Sequence, residues 1–309
     1  METPLQQNNN QSPSLLSSLG IIAICTSFGA NAVAIKISLS GLGVFTTAGF
    51  RFFLAALAIA LWAVATGRKL SVNWPQFKKL LVLSLIFTCQ LGLFYSGLSR
   101  TYASRGTLIA NLQPFFVLIL AHFFIPGDRM TVKKTVGIIL GFTGVSIMLM
   151  EKQGISANLQ SGDLLMLCAI ILWAINAVYT KTIISEFRMF QIVLYPEIIS
   201  VPFFLLAGYF WDAEMVGMID LKVGSALLYQ AMVTASFGFV VWTHMLQKYG
   251  AVVLHSYLFI LPVSGVLLGG LILDEPVTSI HIILALTFIV TGILVINSDF
   301  SFVRRRLGW

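Results

Sequence analysis

Long apolar stretches with almost no charge alternate with short polar breaks along this chain of 309 residues. Windows of about 20 apolar residues, the length a helix needs to cross a ~30 Å hydrocarbon layer, fall at 19–39, 44–66, 79–99, 106–126, 133–150, 161–183, 189–210, 222–245, 251–273 and 279–297. The breaks carry turn or charge signals: Gly41 and Gly43, then GRKLSVNWPQFKK, PGDRMTVKK, EKQGISANLQSGD and DEP. Open strands cannot satisfy their backbone in lipid, so every span is expected to be a helix. The expected fold class is all-α, a polytopic membrane protein with ten transmembrane helices and both ends of the chain on one side.

Composition strengthens this pattern. Hydrophobic residues make up 58% of the chain and charged residues only 10%, with a mean hydropathy of +0.91. A soluble domain of this size carries about 25% charged residues to cover its surface. The net charge of +7 does not call for nucleic acid, because the cations sort by side. Arg68, Lys69, Lys78, Lys79, Arg129, Lys133, Lys134, Lys181, Arg188, Lys248 and Arg304–Arg306 share the side of the termini, while Arg100, Arg105, Lys152 and Lys222 lie opposite. Excess Lys and Arg mark the cytoplasmic side, so both termini are expected there. The opening METPLQQNNNQSPSLLSS has no cation and reads as a polar tail over 1–18 rather than a signal peptide. The closing 299–309 reads as a basic tail. Cys25, Cys89 and Cys168 lack metal or redox spacing and are expected to be buried thiols.

A repeat is hidden in the chain. NAVAIK (Asn31 to Lys36) and NAVYTK (Asn176 to Lys181) match at an offset of 145, each with an aromatic three residues earlier, Phe28 and Trp173. Pro114 matches Pro262, and Gly144 matches Gly292, at an offset of 148. These positions divide the chain into a first five-helix unit over 19–150 and a second over 151–298. Five spans are odd, so the second unit enters the membrane from the other face. Inverted repeats of this kind enclose a mid-depth site reachable from either side in turn.

With FGANAVAIK, WAINAVYTK, GFRFFLAA around Arg51, NLQPFFVLILAHFF and LFILPVSGVLLGGLILDEP in view, the chain resembles the drug/metabolite transporter superfamily, in its EamA-type ten-helix permease branch. The resemblance covers nearly everything after residue 18. It departs at Phe28, where a Trp is usual, and at PGDRMT, where the second half keeps Asp274-Glu275-Pro276. It implies a secondary transporter that exports or takes up amino acids, metabolites or drugs, export favoured, in a bacterial inner (plasma) membrane.

Polar residues inside the spans are the candidates for a solute site. A charge at mid-span costs about 2.5–3.5 kcal/mol on insertion scales, so Arg51 and Glu197 need a reason. Arg51 either attracts an anionic group of the solute or snorkels. Glu197 either meets an amine, carries a coupling proton, or is a neutral hydrogen-bonded group. Their expected depths differ by roughly 8 Å at 1.5 Å per residue. Asn31 and Asn176 either line the site or join helices. Tyr95, Asn111, Trp173, Tyr179, Tyr229, Gln230, His255 and Tyr257 complete the candidate lining. Lys36 and Lys181, at opposite membrane faces, are interfacial anchors or gate contacts. Pro114 and Pro262 are candidate hinges. Gly137/Gly141 and Gly265/Gly269 permit close helix packing.

Other chemistries lack their motifs. The chain has no GxxxxGK[ST], no HExxH and no GxSxG. The expectation is a non-enzyme with no cofactor and no metal site. Its partners are a small-molecule solute, the lipid bilayer and a proton or other coupling ion, with no nucleic acid; it is a monomer or homodimer. A channel or structural membrane subunit, and behind it an intramembrane transferase, are the alternatives.

Overall fold

The computed structural model describes residues 14–124, 131–149, 157–242, 245, 257 and 260–297. Helix α1 (Leu15–Ser38) starts at an N-cap Ser14 and is followed by α2 (Val44–Ala65) and α3 (Trp74–Arg100). The start of α3 is fixed by a reciprocal Asn73–Gln76 capping box with Pro75 in the first turn. Gly67 closes α2 at φ 65°, a conformation in which a side chain would be strained. The fourth apolar run is broken into α4 (Ala103–Ala110) and α5 (Gln113–Phe124). The break at Asn111–Leu112 lies just ahead of Pro114, which has no N–H to give and crowds the carbonyl four residues back.

Next come α6 (Val132–Leu149), α7 (Ala157–Ile183), a 3₁₀ turn (Ile184–Glu186) and α8 (Met189–Trp211). Helix α9 (Leu221–Leu228), capped by Asp220, runs on as a π-helical stretch, Tyr229–Gly238. Helices α10 (Ile260–Leu273) and α11 (Ile280–Asn297) follow, separated by a turn in which Asp274 takes φ 52°. Asp tolerates that left-handed conformation better than most residues, and Pro276 prevents α10 from continuing.

Among the described residues seven helices are long and apolar enough to cross a membrane, and 260–273 and 280–295 are shorter apolar helices. Large apolar side chains such as Phe53, Leu57, Leu61, Phe123 and Leu271 face outward. A water-soluble fold would bury them, whereas a bilayer solvates them. The molecule is a helical, multi-pass membrane protein.

Helix packing is duplicated. Helix α3 packs on α7 as α9 packs on α1; α10 packs on α1 as α5 packs on α7; α3 packs on α8 as the π-helical part of α9 packs on α2. The pairs α2–α8 and α6–α11 are their own counterparts, and α4 packs on α10. Glycines set the closest of these contacts. A Cβ at Gly292 would lie 2.7 Å from the Gly137 carbonyl, so α6 and α11 meet backbone to backbone.

The loops follow the same exchange. At the face opposite Ser14, Gly43 N–H donates to the Met215 carbonyl (3.1 Å) and Gly217 N–H to that of Gly41 (3.0 Å). At the face of Ser14, Gln76 donates to the Glu186 carbonyl (2.9 Å) and Gln191 to that of Ser71 (2.8 Å), and Lys79 pairs with Glu186.

Two expectations about single residues change. Cys25 is buried, but Cys89 and Cys168 are exposed. An apolar run marks a helix that sits in lipid, and it does not say which side of that helix faces inward. Arg105, expected in a loop, lies in the first turn of α4 and is buried against Asp163 of α7, donating from Nε (3.1 Å) and NH2 (2.5 Å) to Oδ2.

Candidate functional site

A continuous polar network runs through the buried middle of the bundle, joining α1, α2, α3 and the π-helical stretch. Arg51, 4% exposed, donates from NH1 to Tyr95 Oη (3.0 Å) and from NH2 to Thr234 Oγ1 (3.3 Å). Tyr95 in turn donates to Gln230 Oε1 (3.0 Å). Gln230 Nε2 spreads its protons over Ser38 Oγ (2.7 Å) and the carbonyls of Ala34 and Ala226 (3.2 Å each). Thr234 Oγ1 lies 3.0 Å from Asn31 Oδ1 and 2.7 Å from the Gln230 carbonyl, and gives its one proton to either. The guanidinium carbon also sits 5.0 Å above the Phe52 ring, a favourable place for a desolvated cation. Gln230 and Thr234 are one turn apart on the π-helical stretch, a feature that occurs often at functional sites.

The network holds the cation but leaves part of it unanswered. Arg51 Nε is buried and has no hydrogen-bond partner, and both carboxylate oxygens of Glu197 (1% exposed) are in the same condition. Among the described residues neither forms an ion pair. Glu197 lies on α8, which packs along α2. Contacts of Phe52 with Phe204 and of Trp62 with Phe190 fix the alignment. Interpolating between them places Glu197 near the level of Leu57, about 9 Å from Arg51 along the axis at 1.5 Å per residue. Gln90 Oε1 and Asn176 Nδ2 are also buried without partners. They flank an edge-on contact of Phe94 with Trp173, rings 5.8 Å apart, where α3 meets α7. Buried polar groups are nearly always hydrogen-bonded, so these four residues stand out in the core; Ser104 Oγ of α4 is a further buried atom without a partner.

The structure thus gathers Asn31, Arg51, Tyr95 and Gln230 into one network and puts Asn176, Trp173 and Glu197 on its flank. Asn111 is buried at the α4–α5 break, its amide turned back to the Thr107 carbonyl (2.8 Å). Pro114 follows that break, and Pro262 is buried in the first turn of α10. Tyr229 donates to the Ser27 carbonyl (2.8 Å). Tyr179 donates to the Lys79 carbonyl (3.3 Å) at the Ser14 face, and Tyr257 to Ser18 Oγ (3.0 Å), both away from the network. Lys36 reaches the Ser99 carbonyl (3.4 Å) at the opposite face, and Lys181 is exposed in the last turn of α7. His255 lies outside the described residues.

Several residues were not singled out from sequence. Thr234 and Ser38 carry short hydroxyls that in an apolar helix ordinarily bond their own preceding turn. Asp212 accepts from the N–H groups of Phe45 (3.1 Å) and Thr46 (2.9 Å) and from Thr46 Oγ1 (2.8 Å), capping α2 from the far end of α8. Glu275 accepts from the N–H groups of Ala103 (2.5 Å) and Ser104 (2.8 Å), capping α4 in the same way. Asp163, an acid inside an expected span, was the one visible signal for the Arg105 pair.

A helical multi-pass bundle with duplicated packing around a buried cation defines a membrane protein of the transporter class. The chain belongs to the EamA-like transporter family, whose model matches residues 15–150 and again 160–298. It is similar to the uncharacterized transporter YoaV of Bacillus subtilis (strain 168), 25% identical over 94% of this chain and 98% of that one. It is also similar to a "Probable amino-acid metabolite efflux pump" of Escherichia coli (strain K12), 26% identical over 89% of this chain and 93% of that one. A solved crystal structure shares the fold with a TM-score of 0.69, covering 96% of this chain and all of the other at 17% identity.

Proposed function

We propose that the chain is a secondary transporter that moves a small organic solute with ionised groups across a bacterial inner membrane, with export the favoured direction. In this reading it crosses the bilayer ten times with both termini cytoplasmic, as two inverted five-helix repeats, and does no covalent chemistry on its solute. The observation that carries it is the buried pair of unanswered charges. Arg51 Nε faces a carboxylate or phosphate of the solute, and Glu197 faces an amine or takes up a coupling proton. A solute carrying both an anionic and a cationic group spans the ~9 Å of axial distance between them better than either charge tolerates alone. An amino acid fits, in keeping with the printed name of the Escherichia coli relative. The aromatic rings of Phe94 and Trp173 offer an apolar wall beside the polar groups.

Exchange of contacts between the halves supports alternating access. The clasp of Gly41–Gly43 on Met215–Gly217 and the clasp of Ser71–Lys79 on Glu186–Gln191 are counterparts at opposite faces. Opening one while the other holds admits solute from one side only. Pro114 beside the α4–α5 break, Pro262 and the terminal cations Lys36 and Lys181 are the hinge and gate elements of this scheme.

Purified protein in liposomes loaded with labelled amino acids tests the proposal. Saturable flux with counterflow is the expected result. Flux that does not saturate makes the protein a channel, and no flux with any solute class makes it a structural subunit.

A further inference from the structure

We propose that the seam between the two halves at the Ser14 face is a binding site for the phosphodiester headgroup of an anionic phospholipid. A cleft of about 360 Å³ opens there, within the ~300–1,000 Å³ of ordinary small-ligand sites. Lys69, Ser71 and Gln76 of the first half form one wall; Ser185, Arg188 and Gln191 of the second form the other.

The walls are built before any ligand arrives. Gln76 accepts from Asn73 N–H (3.1 Å) and donates to the Glu186 carbonyl (2.9 Å). Gln191 accepts from Arg188 N–H (2.9 Å) and donates to the Ser71 carbonyl (2.8 Å). Each glutamine therefore rivets its own helix start to the opposite half.

The charge of the cleft is one-sided. Its single acid, Glu186, is taken by Lys79 from outside the cleft. Lys69 and Arg188 stay at the rim, exposed and in no described ion pair. Ser71 and Ser185 add hydroxyl donors. Trp74, exposed beside the cleft with Lys78 over its ring at 5.6 Å, is the aromatic–cation pairing that sits at headgroup depth. Two free cations, two hydroxyls and an interfacial depth select a lipid phosphate over a carboxylate metabolite or an apolar ligand. A lipid seated there spans both halves and favours the state in which this face is clasped. The inference rests on the multi-pass membrane reading and not on transport.

Lipid retention by the full chain tests it without a flux measurement. Detergent-purified protein is titrated with phosphatidylglycerol and, separately, with phosphatidylcholine, and bound lipid is counted by native mass spectrometry. Phosphatidylglycerol is expected to bind more tightly. Each of Lys69→Ala and Arg188→Ala is expected to lose about fivefold, and the double variant to fall to the phosphatidylcholine level. Lys222→Ala, at the opposite face, serves as the control, and an unchanged melting temperature shows that the double variant is folded. A folded double variant that retains phosphatidylglycerol like the parent overturns the site. Inorganic phosphate that displaces the lipid at equal concentration overturns its assignment to a lipid.

Discussion

Arg51 on α2 and Tyr95 on α3 are joined at 3.0 Å in the centre of the bundle, and Tyr95 passes the bond on to Gln230 of α9 at the same distance. One phenol oxygen thus accepts from the buried cation and donates to an amide two helices away. The arrangement holds the guanidinium still while leaving Nε uncommitted, as the proposed anion site requires. Had Arg51 been paired with an acid inside the protein, a solute would have had to compete for it.

Tyr95→Phe removes that relay and leaves both Arg51 NH1 and Gln230 Oε1 without it. Each stranded group costs about 1–3 kcal/mol, so the melting temperature in detergent is expected to fall. Affinity for an anionic solute should fall with it, because the guanidinium loses its fixed orientation. A variant as stable as the parent with unchanged half-saturation would show that the network is not the solute site.

The buried pair of Arg105 with Asp163 is expected to behave as a structural tie. Both side chains are almost fully enclosed, 3% and 1% exposed. Arg105→Met or Asp163→Leu alone strands a charge and should cost about 3–5 kcal/mol; the double replacement should recover most of that. A double-mutant cycle on thermal melts reads the coupling. Additive losses would mean that the two charges are answered independently.

Asp212 caps the start of α2 from the loop after α8, accepting three bonds from Phe45 and Thr46. Asp212→Ala is expected to cost about 1–2 kcal/mol, the worth of a strong N-cap. It should also loosen the clasp at this face, since Gly43 packs directly against the same carboxylate. Faster labelling of a cysteine placed at Leu42 in the variant than in the parent checks it; equal labelling would uncouple the cap from the clasp.

Much of this architecture was legible in the sequence. Expected spans at 44–66 and 189–210 coincide almost residue for residue with Val44–Ala65 and Met189–Trp211, because hydropathy measures what lipid selects. The break at Asn111–Leu112 was signalled by Pro114, a candidate hinge, whereas the π-helical stretch was not legible, since it is a shift of backbone hydrogen bonding inside a run that stays apolar. Arg51 stood out as a cation in a span, but its neighbours depend on which helices meet. Thr234 bonds its own helix and Arg51 together, and nothing in its local sequence separates it from the other hydroxyls of the spans. Cys89 and Cys168 failed for the opposite reason: a window average carries no sense of which helix face looks inward.

Glu197 offers the sharpest contrast between structure and function. Its carboxylate oxygens make no described hydrogen bond despite being enclosed, and burying a carboxylate without a hydrogen-bonding partner is costly. Glu197→Gln keeps the shape and removes the charge. Melting temperature is therefore expected to stay level or rise, unlike the losses at Tyr95, Arg105 and Asp212, while flux of a zwitterionic solute is lost. If Glu197 also carries the coupling proton, the residual flux of the variant should no longer respond to an imposed pH gradient. Flux and pH response equal to those of the parent would remove Glu197 from the mechanism and leave its burial without a functional reason.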